Sequence, residues 1–121
     1  PATRDSVASR GLGDVYKRQG SEAFRDAYEK KILPSLIKFN PELIMLSAGF
    51  DGHEDDPLCQ LNLVVQDFNW VTKELTKVAR QCCQSRLVSV LEGGYHLGAL
   101  KDCVASHLSA LLSDVDQQCK L

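Results

Sequence analysis

Two kinds of apolar spacing alternate along the chain. Over Ser21 to about Phe39, the apolar residues Phe24, Ala27, Tyr28, Ile32 and Leu36 recur at intervals of three and four, which predicts a helix. Ser21 is placed to cap it, and Glu22 and Asp26 suit the positive end of its dipole. Pro34 lacks a backbone donor, so a kink or an early stop is expected there. Asn40–Pro41 marks a turn. Glu42–Ala48, "ELIMLSA", is by contrast apolar almost without interruption. That run suits a strand buried on both faces, as in a parallel sheet. A polar loop continues to about Val65. Asp67 to about Cys83 returns to helical spacing through Phe68, Val71, Leu75 and Val78. Arg86–Glu92, "RLVSVLE", is a second buried strand, and "GGYHLG" follows as a loop. Leu97 to about Leu112 is a third helix through Leu100, Val104, Leu108 and Leu111, and residues 114–121 read as a polar tail that frays.

The predicted order is therefore α-β-α-β-α. Strand, helix, strand forms a βαβ unit with parallel strands and a right-handed crossover. Open parallel sheets bind ligands beyond the carboxyl ends of their strands. One strand ends at Gly49-Phe50-Asp51 and the other at Gly93-Gly94-Tyr95. Asp51 and Tyr95, 44 positions apart, are thus expected on one rim.

Composition narrows the class. The 121 residues are 44% hydrophobic and 25% charged, with a net charge of -2, as in a soluble globular domain. No apolar run reaches the ~18 residues of a membrane span. No basic stripe suggests direct contact with nucleic acid or a membrane surface. The five cysteines (Cys59, Cys82, Cys83, Cys103 and Cys119) are odd in number and have no metal-ligand spacing, so they read as reduced thiols of an intracellular protein.

Residues 1–19 differ from the rest. They show no apolar period, and Ser9–Gln19, "SRGLGDVYKRQ", matches the translation of a common transposase-end sequencing adapter. Residues 1–19 are expected to be an adapter or vector artefact, outside the fold. The natural sequence would then start, truncated, near Gly20.

"SAGFDGHEDDP" followed by "VLEGGYHL", with "ILPSLIKFNPELIMLSAGFD" before them, resembles the zinc-dependent deacetylase superfamily of histone deacetylases and acetylpolyamine amidohydrolases. The likeness is greatest to its class II and bacterial-type branches and runs from about Gly20 to Ser113. It implies that residues 20–113 are the C-terminal portion of a deacetylase catalytic domain. The fold would be the C-terminal part of an arginase/deacetylase-like α/β fold with a parallel sheet. Zinc in that family is held by an Asp-x-His pair and a second Asp, which falls on Asp51. The transition-state tyrosine falls on Tyr95. Leu58, seven positions after Asp51, falls at the mouth of the acyl tunnel. Gly93 and Gly94 let the backbone pass close to the substrate and let the loop move. Val64 stands where the family often has a capping Thr, and Val cannot cap.

The chemistry suits these residue types. Zinc with an open position polarises a carbonyl and lowers the pKa of bound water. A phenol on the far side donates to the oxyanion. The substrate would be an acetylated lysine in a protein or peptide, or an acetylated small amine; a neutral Leu58 weakly disfavours a polyamine. The family's tandem histidines and its Asp-x-His pair are absent from the sequence. Asp51-Gly52-His53 only mimics the pair, because its Asp is already assigned. The chain alone is therefore expected to be inactive without the remainder of the catalytic domain. The rival expectation is a small non-enzymatic α/β binding domain whose acidic rim holds a divalent cation. Bland roles fit the other polar residues. Glu54, Asp55 and Asp56 read as a solvated acidic loop, with Asp56 also shaping it beside Pro57. Glu92 reads as structural, His107 as an ordinary helix residue and Trp70 as core. Cys82–Cys83 read as a helix end, and His53 and His96 as lying near the rim.

Overall fold

The computed structural model describes residues 20–118, so the expectations for residues 1–19 and for Cys119 lie outside that range. α1 (Ser21–Ala27) runs through a π-helical segment, Tyr28–Ile32, into α2 (Leu33–Phe39). β1 (Ile44–Ala48), α3 (Val65–Cys83), β2 (Leu87–Leu91) and α4 (Leu97–Gln118) follow. The strands pair in parallel, with Ile44 opposite Leu87 and Ala48 opposite Leu91. The chain is thus the mixed α/β arrangement with a parallel sheet that the apolar spacing predicts.

Pro34 does not stop the first helix. The irregularity falls in the preceding turn, where the Leu33 amide donates to the Tyr28 carbonyl five positions back. A widened turn accommodates the proline ring and its missing donor. The helix ends instead at Asn40, in the left-handed conformation with φ 54°, which Asn tolerates better than most residues.

Ser21 is not the cap either; Gly20 takes that position without a side-chain bond. The Ser21 hydroxyl donates to Asp67 Oδ2 at 2.5 Å. Asp67 is 0% exposed. It also accepts from Arg25 Nε at 2.9 Å and from the Val64 amide at 3.0 Å. Burial alone would raise its pKa, but the bonds from Ser21, the Val64 amide and Arg25 outweigh it and hold the carboxyl below its ordinary range. Asp67 thereby supplies the cap that Val64 cannot, and α3 starts at Val65, earlier than the apolar spacing predicts. The same carboxylate joins α1 to α3.

The core has two lobes. Leu33, Ile44, Val71, Leu75, Val78 and Ala79 form one, and Ala48, Phe50, Leu63, Phe68 and Cys103 the other; Phe24 packs against both. Ile44, Leu46 and Ala48 face these lobes. The opposite face of the sheet is open, contrary to the expected burial on both faces: Met45 is 72% exposed, and Ser47, Val88 and Val90 are exposed beside it. Every described helix that touches the sheet lies on the other side. α4 also runs past the predicted Leu112, because Asp114 is buried in an ion pair with Arg80 of α3.

His107 is no ordinary helix residue. It is buried between α3, α4 and β2, with its ring edge-on to Phe50 at 5.6 Å. Thr72 Oγ1 lies 2.8 Å from Nδ1, and Ser89 Oγ lies 2.8 Å from Nε2. The Thr72 hydroxyl already donates to the Phe68 carbonyl at 2.6 Å. It must therefore accept from Nδ1–H, leaving Nε2 to accept from Ser89. The fully satisfied imidazole is neutral, and burial lowers its pKa from the ordinary 6.5. Below about pH 6.5 the unfolded chain then binds a proton that the folded chain resists, so stability is lost as the pH falls from 6.5 toward the lower folded value. The thermal unfolding midpoint is expected to drop over that interval, and less in His107→Gln. Equal pH dependence in the two proteins would count against the neutral assignment.

Candidate functional site

The two strand ends are fastened to each other. Beyond the strands proper, the Glu92 amide donates to the Ala48 carbonyl at 3.0 Å and the Phe50 amide to the Gly93 carbonyl at 2.9 Å. Phe50 is buried against Phe68, and Asp51 emerges at the rim just after it. A Cβ on Gly93 would lie 3.0 Å from Asp51 Cγ and Oδ1, and one on Gly49 would lie 3.1 Å from Oδ1. Glycine at both positions leaves the space that the Asp51 carboxylate fills. The sheet thus brings Asp51 against Gly93, as the βαβ order predicts.

The loop after Asp51 closes on itself. The Leu63 amide donates to the Gly52 carbonyl at 3.1 Å, and the Glu54 amide to the Leu63 carbonyl at 2.8 Å. Glu54 and Asp55 point into solvent, but Asp56 does not. Its Oδ1 accepts from the Leu58 amide at 2.9 Å, and its Oδ2 from the Tyr95 amide at 2.8 Å and the His96 amide at 3.3 Å. Asp56 is therefore a buried bridge between the two rim loops, not a member of a solvated acidic patch. The Asp56–Pro57–Leu58 turn is readable from sequence as an Asx turn. The reach to Tyr95, 39 positions on, is not.

Tyr95 stands 58% exposed, and Leu58 is exposed too. Gly94 has φ +136°, and a Cβ there would sit 2.7 Å from Leu100 Cδ1. His96 caps α4: its Nδ1 accepts from the Ala99 amide at 3.1 Å. His53 Nδ1 likewise accepts from the Asp55 amide at 3.1 Å. Both histidines line a cleft of about 430 Å³ with Glu54, Asp55 and Asp102. A second, largely apolar cavity of about 210 Å³ reaches Asp51 and is also lined by Phe50, Cys59, Phe68, Thr72 and His107. Burial, followed by the negative charges of Asp51 and Asp56, pushes the Cys59 thiol up, and burial pushes Cys103 up to about 11. Cys59, Cys82, Cys83 and Cys103 are all free thiols. No group of three His, Cys, Asp or Glu side chains converges there on a metal position. Asp51 offers one ligand and no more.

Comparison with known proteins gives a concordant result. Residues 13–111 match the histone deacetylase domain family. The chain is similar to type-2 histone deacetylase 2 of Dictyostelium discoideum, with 44% identity over 97% of the chain and 7% of that protein. It is 37% identical to the chloroplastic histone deacetylase 14 of Arabidopsis thaliana, over 86% of the chain and 23% of the relative. The fold superimposes on the HDA15 HD domain with a TM-score of 0.71 and 26% identity, over 78% of the chain and 25% of that structure. The chain thus spans a quarter or less of the length of each.

The glycines give a direct test of this geometry. Gly94→Ala meets both a forbidden φ and the Leu100 side chain, and should destabilise the fold by about 1–3 kcal/mol in denaturant unfolding. Gly93→Ala should cost less, because the Asp51 carboxylate can shift. A Gly94→Ala protein as stable as the parent would contradict the loop conformation.

Proposed function

The chain belongs to the histone deacetylase domain family, and from that premise we propose that residues 20–113 are the C-terminal portion of a zinc-dependent deacetylase catalytic domain. The reaction is hydrolysis of the acetyl, or a related acyl, amide of a lysine side chain in a protein or peptide, or of a small amine. One observation supports it above the others: Gly93, which opens the Gly93–Gly94–Tyr95 turn, packs on the Asp51 carboxylate at the carboxyl rim of a parallel sheet.

Asp51 is the residue of this chain that would hold zinc. Its oxygens lie at the rim in space that a Cβ at Gly49 or Gly93 would fill, a cradle that suits a carboxylate held for a metal. Zinc, when bound, supplies Lewis-acid polarisation of the amide carbonyl. Tyr95 donates its phenolic proton as a hydrogen bond to the carbonyl oxygen as negative charge gathers there. Gly93 and Gly94 let substrate approach the backbone beside Asp51, and Leu58 offers an apolar wall to an aliphatic stem. The general base and the other metal ligands belong to the remainder of the catalytic domain. That remainder would also cover the open sheet face around Met45, Val88 and Val90. Residues 1–19 are left out of this proposal as the expected adapter-derived sequence, although the family match begins at residue 13. The free thiols fit an intracellular setting, and among the described residues no helix is long and apolar enough to cross a membrane. The alternative of a small domain with a cation-binding acidic rim loses one of its carboxylates, since both oxygens of Asp56 are engaged by backbone amides.

In the full-length protein, Tyr95→Phe is expected to lower kcat on an acetyl-lysine peptide by about 10²–10³ while KM changes little. A variant with parental kcat would remove Tyr95 from the reaction. The 121-residue chain alone is expected to show no zinc-dependent release of acetate. Turnover by the isolated chain would overturn its assignment as part of a larger site.

A further inference from the structure

Building on the deacetylase site just described, we propose that Asp56 is a positioning residue: its carboxylate fixes where the Tyr95 phenol stands relative to the scissile carbonyl and couples that position to Leu58. The sheet ladder ends with the bond from the Phe50 amide to Gly93, and α4 begins at Leu97. Between them Gly94, Tyr95 and His96 belong to neither element. The amides of Tyr95 and His96 both donate to Asp56 Oδ2. Asp56 is itself fixed, only 6% exposed, with its own amide donating to the His53 carbonyl at 2.9 Å. Its other oxygen holds the Leu58 amide. One buried carboxylate therefore sets the oxyanion donor and the tunnel-mouth residue together.

The bridge requires an ionised acceptor. Burial opposes the charge, but the amides of Leu58, Tyr95, His96 and Cys59 outweigh it and hold the pKa below the ordinary carboxylate range. Bonds to a charged acceptor are also stronger than neutral ones. A carboxamide at this position has one acceptor oxygen. Its NH₂ group would face either the Leu58 amide or the Tyr95 and His96 pair, donor against donor.

The test is a double-mutant cycle in the full-length enzyme, with an acetyl-lysine peptide as substrate and zinc content measured for each variant. Asp56→Asn is expected to lower kcat about 10–10²-fold, as for a displaced catalytic group, with KM and zinc content close to parental values. In a Tyr95→Phe background it should add less than about 2-fold, because the group it positions is already gone. Multiplicative losses, a loss confined to KM, loss of zinc, or parental kcat in Asp56→Asn would each overturn the positioning role. Parental kcat in Tyr95→Phe is a different failure, since it removes the tyrosine from the reaction before Asp56 is considered. If Asp56→Asn does not fold, Asp56→Ser, which keeps an acceptor oxygen, is measured in the same way. If neither folds, Asp56 is a folding residue and the inference is wrong.

Discussion

The parallel register of β1 and β2 is the constraint on which the rest depends. With Ala48 opposite Leu91, both chains leave the sheet at the same height and in the same direction. Asp51 and Gly93 then meet without any further device. A register shift of one residue would turn every side chain of a strand to the opposite face, burying Met45 and exposing Ile44. The buried Ile44 and Ala48 therefore help determine where the rim chemistry can occur.

Polar groups buried between elements reinforce that arrangement. Asp67 ties α1 to α3, His107 ties β2 to α3 and α4, and Asp56 ties the two rim loops. No buried side-chain nitrogen or oxygen among the described residues lacks a partner. Such networks are costly when half-made and selective when complete, because each admits only a narrow range of relative placements. Apolar lobes alone would tolerate sliding; these three groups do not.

Much of this was legible in the sequence. Helical spacing and continuous apolar runs located each element to within a few residues except the end of α4, which runs on to Gln118, and the βαβ order placed Asp51 and Tyr95 on one rim. Local signals failed where a distant residue made the decision. Ser21 resembles a cap, but Asp67 takes its hydroxyl. Val64 resembles a missing cap, but Asp67 supplies one. His107 and Asp114 lie on helical surfaces that only tertiary packing buries. The π-helical turn before Pro34 has no signature beyond the proline, which predicts a disturbance but not its form. Continuous apolarity in a strand suits burial on both faces, but it does not show what covers each one, and here one face is open.

The open sheet face has a consequence for how stability itself is defined. A surface that includes Met45, Val88 and Val90 contributes to folding only when another surface is present to cover it. If that cover is part of the same polypeptide, its effective concentration is set by the connecting chain and is insensitive to dilution. Were the connection cut, the same contacts would become a bimolecular equilibrium governed by mass action, and the unfolding midpoint would depend on the concentration of the other piece. The stability of these strands is then a property of a pair of surfaces, and chain connectivity determines whether that pair behaves as one molecule or two.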